Sequence, residues 1–285
     1  MNQKALLLCI PLAACAAPTP HPETVASPPN VASAHEPIAR PSPILSHALA
    51  KSGHVLLGIP KRSENVNEVL LDRGEFVMLY DESLHSARWV AWRVTRADIG
   101  KAKRKNAFHP DPDLPSGFLK VTPDDYAHSG FDRGHLCPSG DRTATPERNH
   151  VTFLMTNMQP QRHALNGGPW EKLEEETRAR LMRSDDVAYV VAGGIYAAPP
   201  QRIGRGVAVP STSFKVVVWL HEGEGPTDIR RDTPHAAVLM PNAPGIDSEP
   251  WETYRVTIDR LEQDAGVDVL SNVPLPIQTV LEASL

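Results

Sequence analysis

The chain has 285 residues, of which 41% are hydrophobic and 22% charged, and this composition predicts one globular domain of roughly 200 or more residues plus a tail. The formal net charge of −5 does not exclude a nucleic-acid partner, because an enzyme that handles anions needs only a local basic strip. Cys9 and Cys15 fall within a predicted export segment, which leaves Cys137 without an intrachain partner and excludes a disulfide. We expect Cys137 to be a small buried thiol rather than a nucleophile.

The first residues are typical of a bacterial export signal. Lys4 supplies a positive start, and residues 5–14 form an apolar run that is too short to span a bilayer. The run ends in Leu12-Ala13-Ala14-Cys15, which resembles a lipobox, and the resemblance implies cleavage before Cys15 and lipidation of its sulfur. The alternative is an ordinary signal peptide in which Cys15 is incidental. We therefore expect an exported protein of the cell envelope, either periplasmic or anchored to the outer membrane through lipid.

The next segment, residues 15–48, is rich in proline among Ala, Ser, Thr and Val, and it lacks an apolar period. Such a composition predicts an extended, semi-rigid tether. With a signal peptide over residues 1–14, the catalytic domain is expected over residues 49–285.

Within that domain, strands and helices are mixed. A helix is predicted from Pro169-Trp170 to about residue 183, because proline is favoured in the first turn and apolar residues recur at helical spacing. A last helix is predicted over residues 249–263. Buried or alternating apolar segments predict strands over 76–80, 89–94, 187–191, 213–220 and 236–240. This order favours an α+β fold with a largely antiparallel central sheet flanked by helices.

Residues 88–105 carry seven basic residues and a single acid, Asp98. Such a run is either a solvated connection between strands or a strip that attracts phosphate groups. Composition alone leaves both interpretations open.

The run Asp132-Arg133-Gly134-His135 combines an acid, a guanidinium and an imidazole within four positions. A histidine moves protons near neutral pH, and an arginine binds anionic oxygens, so the run suits phosphate-ester chemistry. Taken alone, His135 is more simply interpreted as a structural core histidine.

Downstream residues favour the catalytic interpretation. The segment from 156 to 178 reads TNMQPQRHALNGGPWEKLEEETR. Together with the Asp132–His135 run it resembles the DNA/RNA non-specific endonuclease family, the sugar-non-specific nucleases with a ββα-metal (His-Me finger) core. The matching positions are Asp132, Arg133, Gly134, His135, Asn157, Gln159, Pro160, Gln161, Asn166, Trp170, Leu173, Glu174 and Arg178, with more diffuse similarity over about residues 55–275.

The resemblance implies a role for each matching polar residue. His135 is the expected general base, and Asn166 is the expected direct ligand of Mg²⁺, for which Mn²⁺ or another divalent ion would substitute. Glu174 lies one helical turn before Arg178; we expect the glutamate to hold metal-bound waters and the arginine to bind a phosphate oxygen. An ordinary surface ion pair is the alternative for these two residues.

Four further residues complete the expected site. Arg133 and Arg104 would bind phosphate oxygens of the substrate, since a guanidinium suits such forked recognition. Asn157 is expected to orient the substrate or the surroundings of His135. Asp132 is expected to fix Arg133 or nearby backbone rather than to ligate the metal.

The resulting hypothesis is a metal-assisted endonuclease that cleaves DNA and RNA without strong sequence specificity and leaves 5′-phosphate and 3′-hydroxyl ends. Contacts to phosphate and sugar leave base identity unread, and they predict activity that falls steeply with salt. Two alternatives remain: a zinc hydrolase using His135 with other histidines, and an inactive lipoprotein that binds nucleic acid at the cell surface.

Overall fold

The computed structural model describes residues 52–61 and 67–285. The expected signal peptide (1–14), the lipidation site Cys15 and the whole tether (15–48) lie outside these ranges and stay predictions. Among the described residues, helices are too short or too polar to cross a membrane.

The described part contains eleven strands and five α-helices, besides short 3-10 turns. The strands are β1 (Glu68–Asp72), β2 (Val77–Asp81), β3 (Ser86–Val94), β4 (Asp132–His135), β5 (Met158–Gln161), β6 (Asp186–Ile195), β7 (Gln201–Ile203), β8 (Val207–Val209), β9 (Thr212–His221), β10 (His235–Pro241) and β11 (Arg255–Val256). The helices are α1 (Pro146–Val151), α2 (His163–Asn166), α3 (Pro169–Leu181), α4 (Ile258–Ala265) and α5 (Leu275–Glu282).

Seven strands form one antiparallel sheet in the order β1-β2-β3-β6-β9-β10-β11. The long central strands β6 and β9 pair over their full lengths, from Asp186 opposite His221 to Ile195 opposite Thr212. Both are buried on both faces, which explains why their sequences are nearly continuous apolar runs. The predicted α+β fold with a largely antiparallel sheet is confirmed.

Each face of the sheet packs against its own apolar core. In β9, Val217 and Trp219 belong to the first core, whereas Val216 and Val218 belong to the second, as the two-residue period of a strand requires. Helix α3 packs into the first core through Trp170. Helices α4 and α5 cover the opposite face.

The first face also carries a small ββα unit, formed by the antiparallel pair of β4 and β5 followed by α2 and α3. In this pair, Gly134 lies opposite Gln159 and His135 opposite Met158. A Cβ added at Gly134 would lie only 2.1 Å from Gln161 Oε1, so the glycine lets the buried Gln161 side chain cross the strand. The unit places the Asp132–His135 run beside the start of α3.

Helix α3 agrees with its sequence pattern. Pro169 occupies the first turn, and the residues at helical spacing are buried: Trp170, Leu173, Thr177 and Leu181. The prediction of a helix over 249–263 is wrong for residues 249–257. That segment forms a 3-10 turn (Trp251–Tyr254), then β11 at the sheet edge, and α4 begins only after Thr257, whose side chain accepts a hydrogen bond from Arg260 N.

Candidate active site

His135 ends β4, and its imidazole is buried between two aromatic rings, with only 7% of the residue exposed. The ring centroid lies 5.7 Å from that of Phe108 and 5.0 Å from that of Phe153. The Trp170 indole N–H donates to the His135 carbonyl oxygen at 3.2 Å, which ties the strand end to α3. Nε2 of His135 is buried without a hydrogen-bond partner among the described residues.

Burial, and secondarily the positive charge of Arg104, lowers the pKa of His135 to about 3. Both effects disfavour the imidazolium form. The ring is therefore neutral near pH 7, which is the form that a general base must have before it accepts a proton.

Two guanidinium groups lie over the rings that flank His135. The Arg133 guanidinium is 4.4 Å from the Phe108 ring centroid, and the Arg104 guanidinium is 5.4 Å from that of Phe153. Arg104 is further fixed by hydrogen bonds to Asn106 Oδ1 at 2.9 Å and Ser139 Oγ at 3.1 Å. An anion in front of the imidazole would therefore have a cation on either side.

The basic run of residues 88–105 is not one continuous strip. Arg88 donates to Asp81 within the sheet at 2.6 Å, and Arg93 lies 3.8 Å from Glu222. These two arginines belong to β3, and acids of the fold neutralise them. Of the run, Arg104 is the residue whose charge acts on His135.

Asp132 and Asn166 are joined directly. Asn166 Nδ2 donates to Asp132 Oδ2 at 3.0 Å, and His163 Nδ1 lies 2.8 Å from the same oxygen. Because an ionised carboxylate only accepts hydrogen bonds, this contact fixes the amide nitrogen of Asn166 and leaves its carbonyl oxygen for another partner. The carboxylate thus orients Asn166, rather than Arg133 or nearby backbone as expected from the sequence.

Asn157 is buried, and its side-chain amide forms hydrogen bonds with backbone groups. Its Oδ1 accepts from Cys137 N at 2.9 Å, while Nδ2 donates to the carbonyl oxygens of Cys137 at 2.9 Å and Thr152 at 2.8 Å. These bonds hold the chain two residues after His135. Of the two roles expected for Asn157, the geometry favours support of the His135 surroundings over contact with substrate.

Glu174 is not part of a surface ion pair, since only 12% of its side chain is exposed. Its Oε1 accepts a hydrogen bond from Lys215 Nζ at 2.9 Å, and its Oε2 lies 3.9 Å from Arg178 Nη1. Burial raises the pKa of Glu174, although Lys215 and then Arg178 oppose that shift. Lys215 is itself enclosed, with Nζ 3.9 Å from the Trp170 ring centroid.

Asp141 fixes the Arg178 side chain and is itself fixed by Trp92. Arg178 Nη1 donates to Asp141 Oδ1 at 3.1 Å, and Asp141 Oδ2 accepts from the Trp92 indole N–H at 2.9 Å. Gly140 leaves room for the guanidinium, because a Cβ at that position would lie 2.9 Å from Nη1. Helix α3 thus presents Glu174 and Arg178 together, as their four-residue spacing predicts.

The sequence analysis does not predict that Lys215 and Asp141 belong to the site. The lysine could have been found, because a charged residue within the apolar sequence of a buried strand requires a partner. Nothing in the sequence around Asp141 predicts its role. Cys137 is free and buried, as predicted, and burial raises the pKa of its thiol.

Comparisons with known proteins agree with this architecture. A model of the family described as DNA/RNA non-specific endonuclease matches residues 57–275. A nuclease of Nostoc sp. (strain PCC 7120 / SAG 25.82 / UTEX 2576) is 38% identical over 239 residues, covering 82% of this chain and 86% of that protein. The mitochondrial nuclease EXOG of Xenopus laevis is 33% identical over 205 residues, covering 67% of this chain and 55% of that protein, so the chain spans about half of EXOG.

The fold has a solved counterpart as well. A chain in the crystal structure of the EndoG/EndoGI complex superposes with a TM-score of 0.65 at 24% identity, covering 79% of this chain and 93% of that chain. Since the family model matches most of the sequence, the chain belongs to the DNA/RNA non-specific endonuclease family and is an endonuclease with the ββα-metal fold.

Proposed function

We propose that this endonuclease hydrolyses phosphodiester bonds of both DNA and RNA, with His135 as general base, and leaves 5′-phosphate and 3′-hydroxyl ends. The observation that carries the proposal is the surroundings of His135. A neutral imidazole with an unpaired Nε2 lies between two aromatic rings, and each ring is covered by a guanidinium, Arg133 on one side and Arg104 on the other. This arrangement suits a water molecule attacking a phosphorus atom.

In the proposed reaction, the His135 imidazole takes a proton from the attacking water as the new P–O bond forms. The bond from phosphorus to the 3′-oxygen then breaks, and that oxygen leaves as a hydroxyl after taking a proton from solvent. Arg133, Arg104 and Arg178 hold the phosphoryl oxygens, and their charges favour the extra negative charge of the transition state. Asn157 and Asp132 act as positioning residues, since they hold the backbone after His135 and the amide of Asn166.

The donor atoms suit a hard divalent ion. Asn166 keeps a free carbonyl oxygen, because Asp132 occupies its amide nitrogen, and a neutral oxygen is a normal ligand of Mg²⁺. Nucleases of this fold require a divalent ion, and we propose Mg²⁺ with Asn166 as direct ligand and Glu174 accepting hydrogen bonds from the waters of the ion. Bound there, the ion would supply Lewis-acid stabilisation of charge on the phosphate and on the leaving oxygen. Mn²⁺ or another divalent ion would substitute.

The side chains proposed to contact substrate are arginines, which match phosphate oxygens, so base identity would go unread. This supports action on both DNA and RNA. The zinc-hydrolase alternative requires several nitrogen, sulfur or carboxylate ligands around one point. In the described part of the chain, the group of such residues that could hold an ion consists of Asp259, Glu262 and Glu282 and does not include His135, which disfavours that alternative.

The deciding experiment incubates the purified chain with plasmid DNA and with RNA, in Mg²⁺ or in EDTA. We expect both substrates to be cut in Mg²⁺ and neither in EDTA, and ligation of the products should reveal 5′-phosphates. His135→Ala should lower the rate by about 10²- to 10⁴-fold, the usual contribution of a general base. His221→Ala, which changes an exposed histidine on β9, is the matched control and should keep the wild-type rate. Cleavage at the wild-type rate by His135→Ala would contradict the role of His135 as general base. Cleavage in EDTA would contradict the role of the metal ion.

We further propose that the enzyme is exported and anchored to the bacterial envelope through lipid on Cys15. The support is the sequence alone: the apolar run after Lys4 and its Leu-Ala-Ala-Cys ending. Expression of the full chain with a radiolabelled fatty acid should label the wild type but not Cys15→Ser, and the labelled protein should fractionate with membranes. An unlabelled wild type would favour the ordinary signal peptide.

A further inference from the structure

Three carboxylates meet at the junction of α4 and α5, on the sheet face opposite the ββα unit. Asp259 and Glu262 belong to α4, and Glu282 is the last residue of α5. Each residue offers one oxygen atom, and these atoms all lie within 4.8 Å of one another. Asp259 and Glu262 lie three positions apart on α4, and the packing of α5 against α4 brings Glu282 to them.

Glu282 is the unusual member of this cluster. It is 5% exposed, and its Oε1 is buried with no hydrogen-bond partner among the described residues. The Gln278 side chain, one turn earlier on α5, hydrogen-bonds to the carboxylate but leaves Oε1 unpaired. A buried, unpaired carboxylate oxygen destabilises a fold unless a cation or a proton compensates it.

The described surroundings supply more negative charge rather than a cation. The charged groups that act most strongly on Glu262 are Glu282, Asp268 and Asp259, and those that act on Glu282 are Asp259 and Asp268. Burial raises the pKa of Glu262 to about 8 and that of Glu282 to about 7, and these acids add to the shift. The Val269 N–H, which donates to Glu262, and the Gln278 side chain beside Glu282 oppose it only in part. The C-terminal end of α5, where Glu282 lies, also disfavours negative charge.

The spacing of the oxygens fits one ion. Oxygen atoms that lie within 4.8 Å of one another are close enough to bind one cation together. Three carboxylates suit Ca²⁺, which takes about six to eight oxygen ligands, better than Mg²⁺, which usually keeps several waters and binds about one or two carboxylates. We propose that Asp259, Glu262 and Glu282 bind a divalent cation of the calcium type, which joins α4 to α5. This site is independent of the ion proposed at Asn166, because it lies on the other side of the sheet.

The test measures the melting temperature and calcium binding of the full chain carrying Asn166→Ala, which removes the direct ligand proposed for the other ion. Millimolar CaCl₂ should raise the melting temperature by about 5 °C relative to EDTA. Equilibrium dialysis with radioactive calcium should find about one ion per chain. Glu282→Gln, added to this background, should abolish both effects.

Glu282→Gln should also be at least as stable as its parent in EDTA, since it removes an uncompensated buried charge. Should this variant fail to fold, Glu262→Gln and Asp259→Asn serve in its place. Asp264→Asn is the matched control: it changes an acid on the same helix that pairs with Arg260, and it should keep the calcium effect. The proposal is overturned if calcium neither binds nor stabilises the parent, or if both effects persist in all three cluster variants. The first of these results would mean that shared protons compensate the cluster.

Discussion

Lys215 Nζ lies 2.9 Å from Glu174 Oε1, and this almost fully enclosed pair joins strand β9 to the middle of helix α3. The lysine side chain is 2% exposed and that of the glutamate 12%. A buried glutamate is charged only where a cation compensates it. We therefore expect Lys215 to act as a positioning residue that keeps Glu174 charged.

Lys215→Met should lower both activity and stability. The ammonium of Lys215 is the charge that most strongly lowers the pKa of Glu174 against the effect of burial. Its loss should therefore raise that pKa further. A carboxylate is lost as pH falls through its pKa, so a higher pKa should move the acid limb of the kcat profile to higher pH. Breaking one partner of a buried pair should reduce the free energy of unfolding by about 3 kcal/mol. Rate profiles against pH and urea unfolding measure the two effects.

The control for this prediction is the double variant Lys215→Met/Glu174→Gln. It removes the unpaired charge, so it should recover much of the stability while its activity stays low. An unchanged acid limb in Lys215→Met would contradict the positioning role, even if the variant were less stable.

Gly140→Ala should disturb Arg178 without unfolding the chain. The new Cβ would lie 2.9 Å from Nη1, which is the far end of a flexible side chain, so the guanidinium rather than the backbone should move. A displacement of this size should lower kcat/KM by about 10- to 100-fold, with little change in melting temperature. Gly225→Ala, at a glycine with open space around it, should leave both quantities unchanged. Equal losses in the two variants would show that the position of Arg178 is not what matters.

The sequence predicts the local parts of this site well. The spacing of Glu174 and Arg178, and the apolar face begun by Trp170, follow from helical geometry alone. The contacts that decide how these side chains act are not local. Lys215 reaches Glu174 across 41 positions, and its partner cannot be inferred from β9 itself. The short strands β4 and β5 contain mostly polar residues, so no apolar alternation in the sequence predicts them. Tertiary packing brings the two strands together.

Asp132→Ala should weaken metal activation more than turnover. The carboxylate holds the amide nitrogen of Asn166 at 3.0 Å, and its loss frees the Asn166 side chain to rotate. We expect the Mg²⁺ concentration for half-maximal rate to rise by about 10- to 100-fold, as for other residues that orient metal ligands. The rate at saturating Mg²⁺ should fall much less. His163→Ala is the control, because it removes the exposed second partner of Asp132 while keeping the Asn166 contact. A normal Mg²⁺ requirement in Asp132→Ala would contradict this role.

Arg104→Ala should change the salt dependence of substrate binding. Each phosphate contact releases a bound counterion, so the slope of log KM against log salt should become shallower by about 0.9 when one contact is lost. Arg260→Ala, on helix α4 across the sheet, removes a positive charge away from the site and should leave the slope unchanged. Cleavage of short duplexes over a range of NaCl concentrations measures both slopes. An unaltered slope in Arg104→Ala would mean that this arginine does not touch phosphate.

His135 should make the fold sensitive to acid. Its pKa is lowered from the ordinary value of 6.5 to about 3, so below pH 6.5 the unfolded chain takes up a proton that the folded chain does not. The free energy of unfolding should therefore fall as pH drops from about 6.5 toward 3, with a contribution near 1.4 kcal/mol per pH unit. His135→Gln, which cannot take up that proton, should lack this contribution, whereas His221→Gln, at an exposed histidine, should keep it. Urea unfolding at several pH values below neutrality measures the slopes, and equal slopes in wild type and His135→Gln would show that the imidazole is protonated in the folded chain.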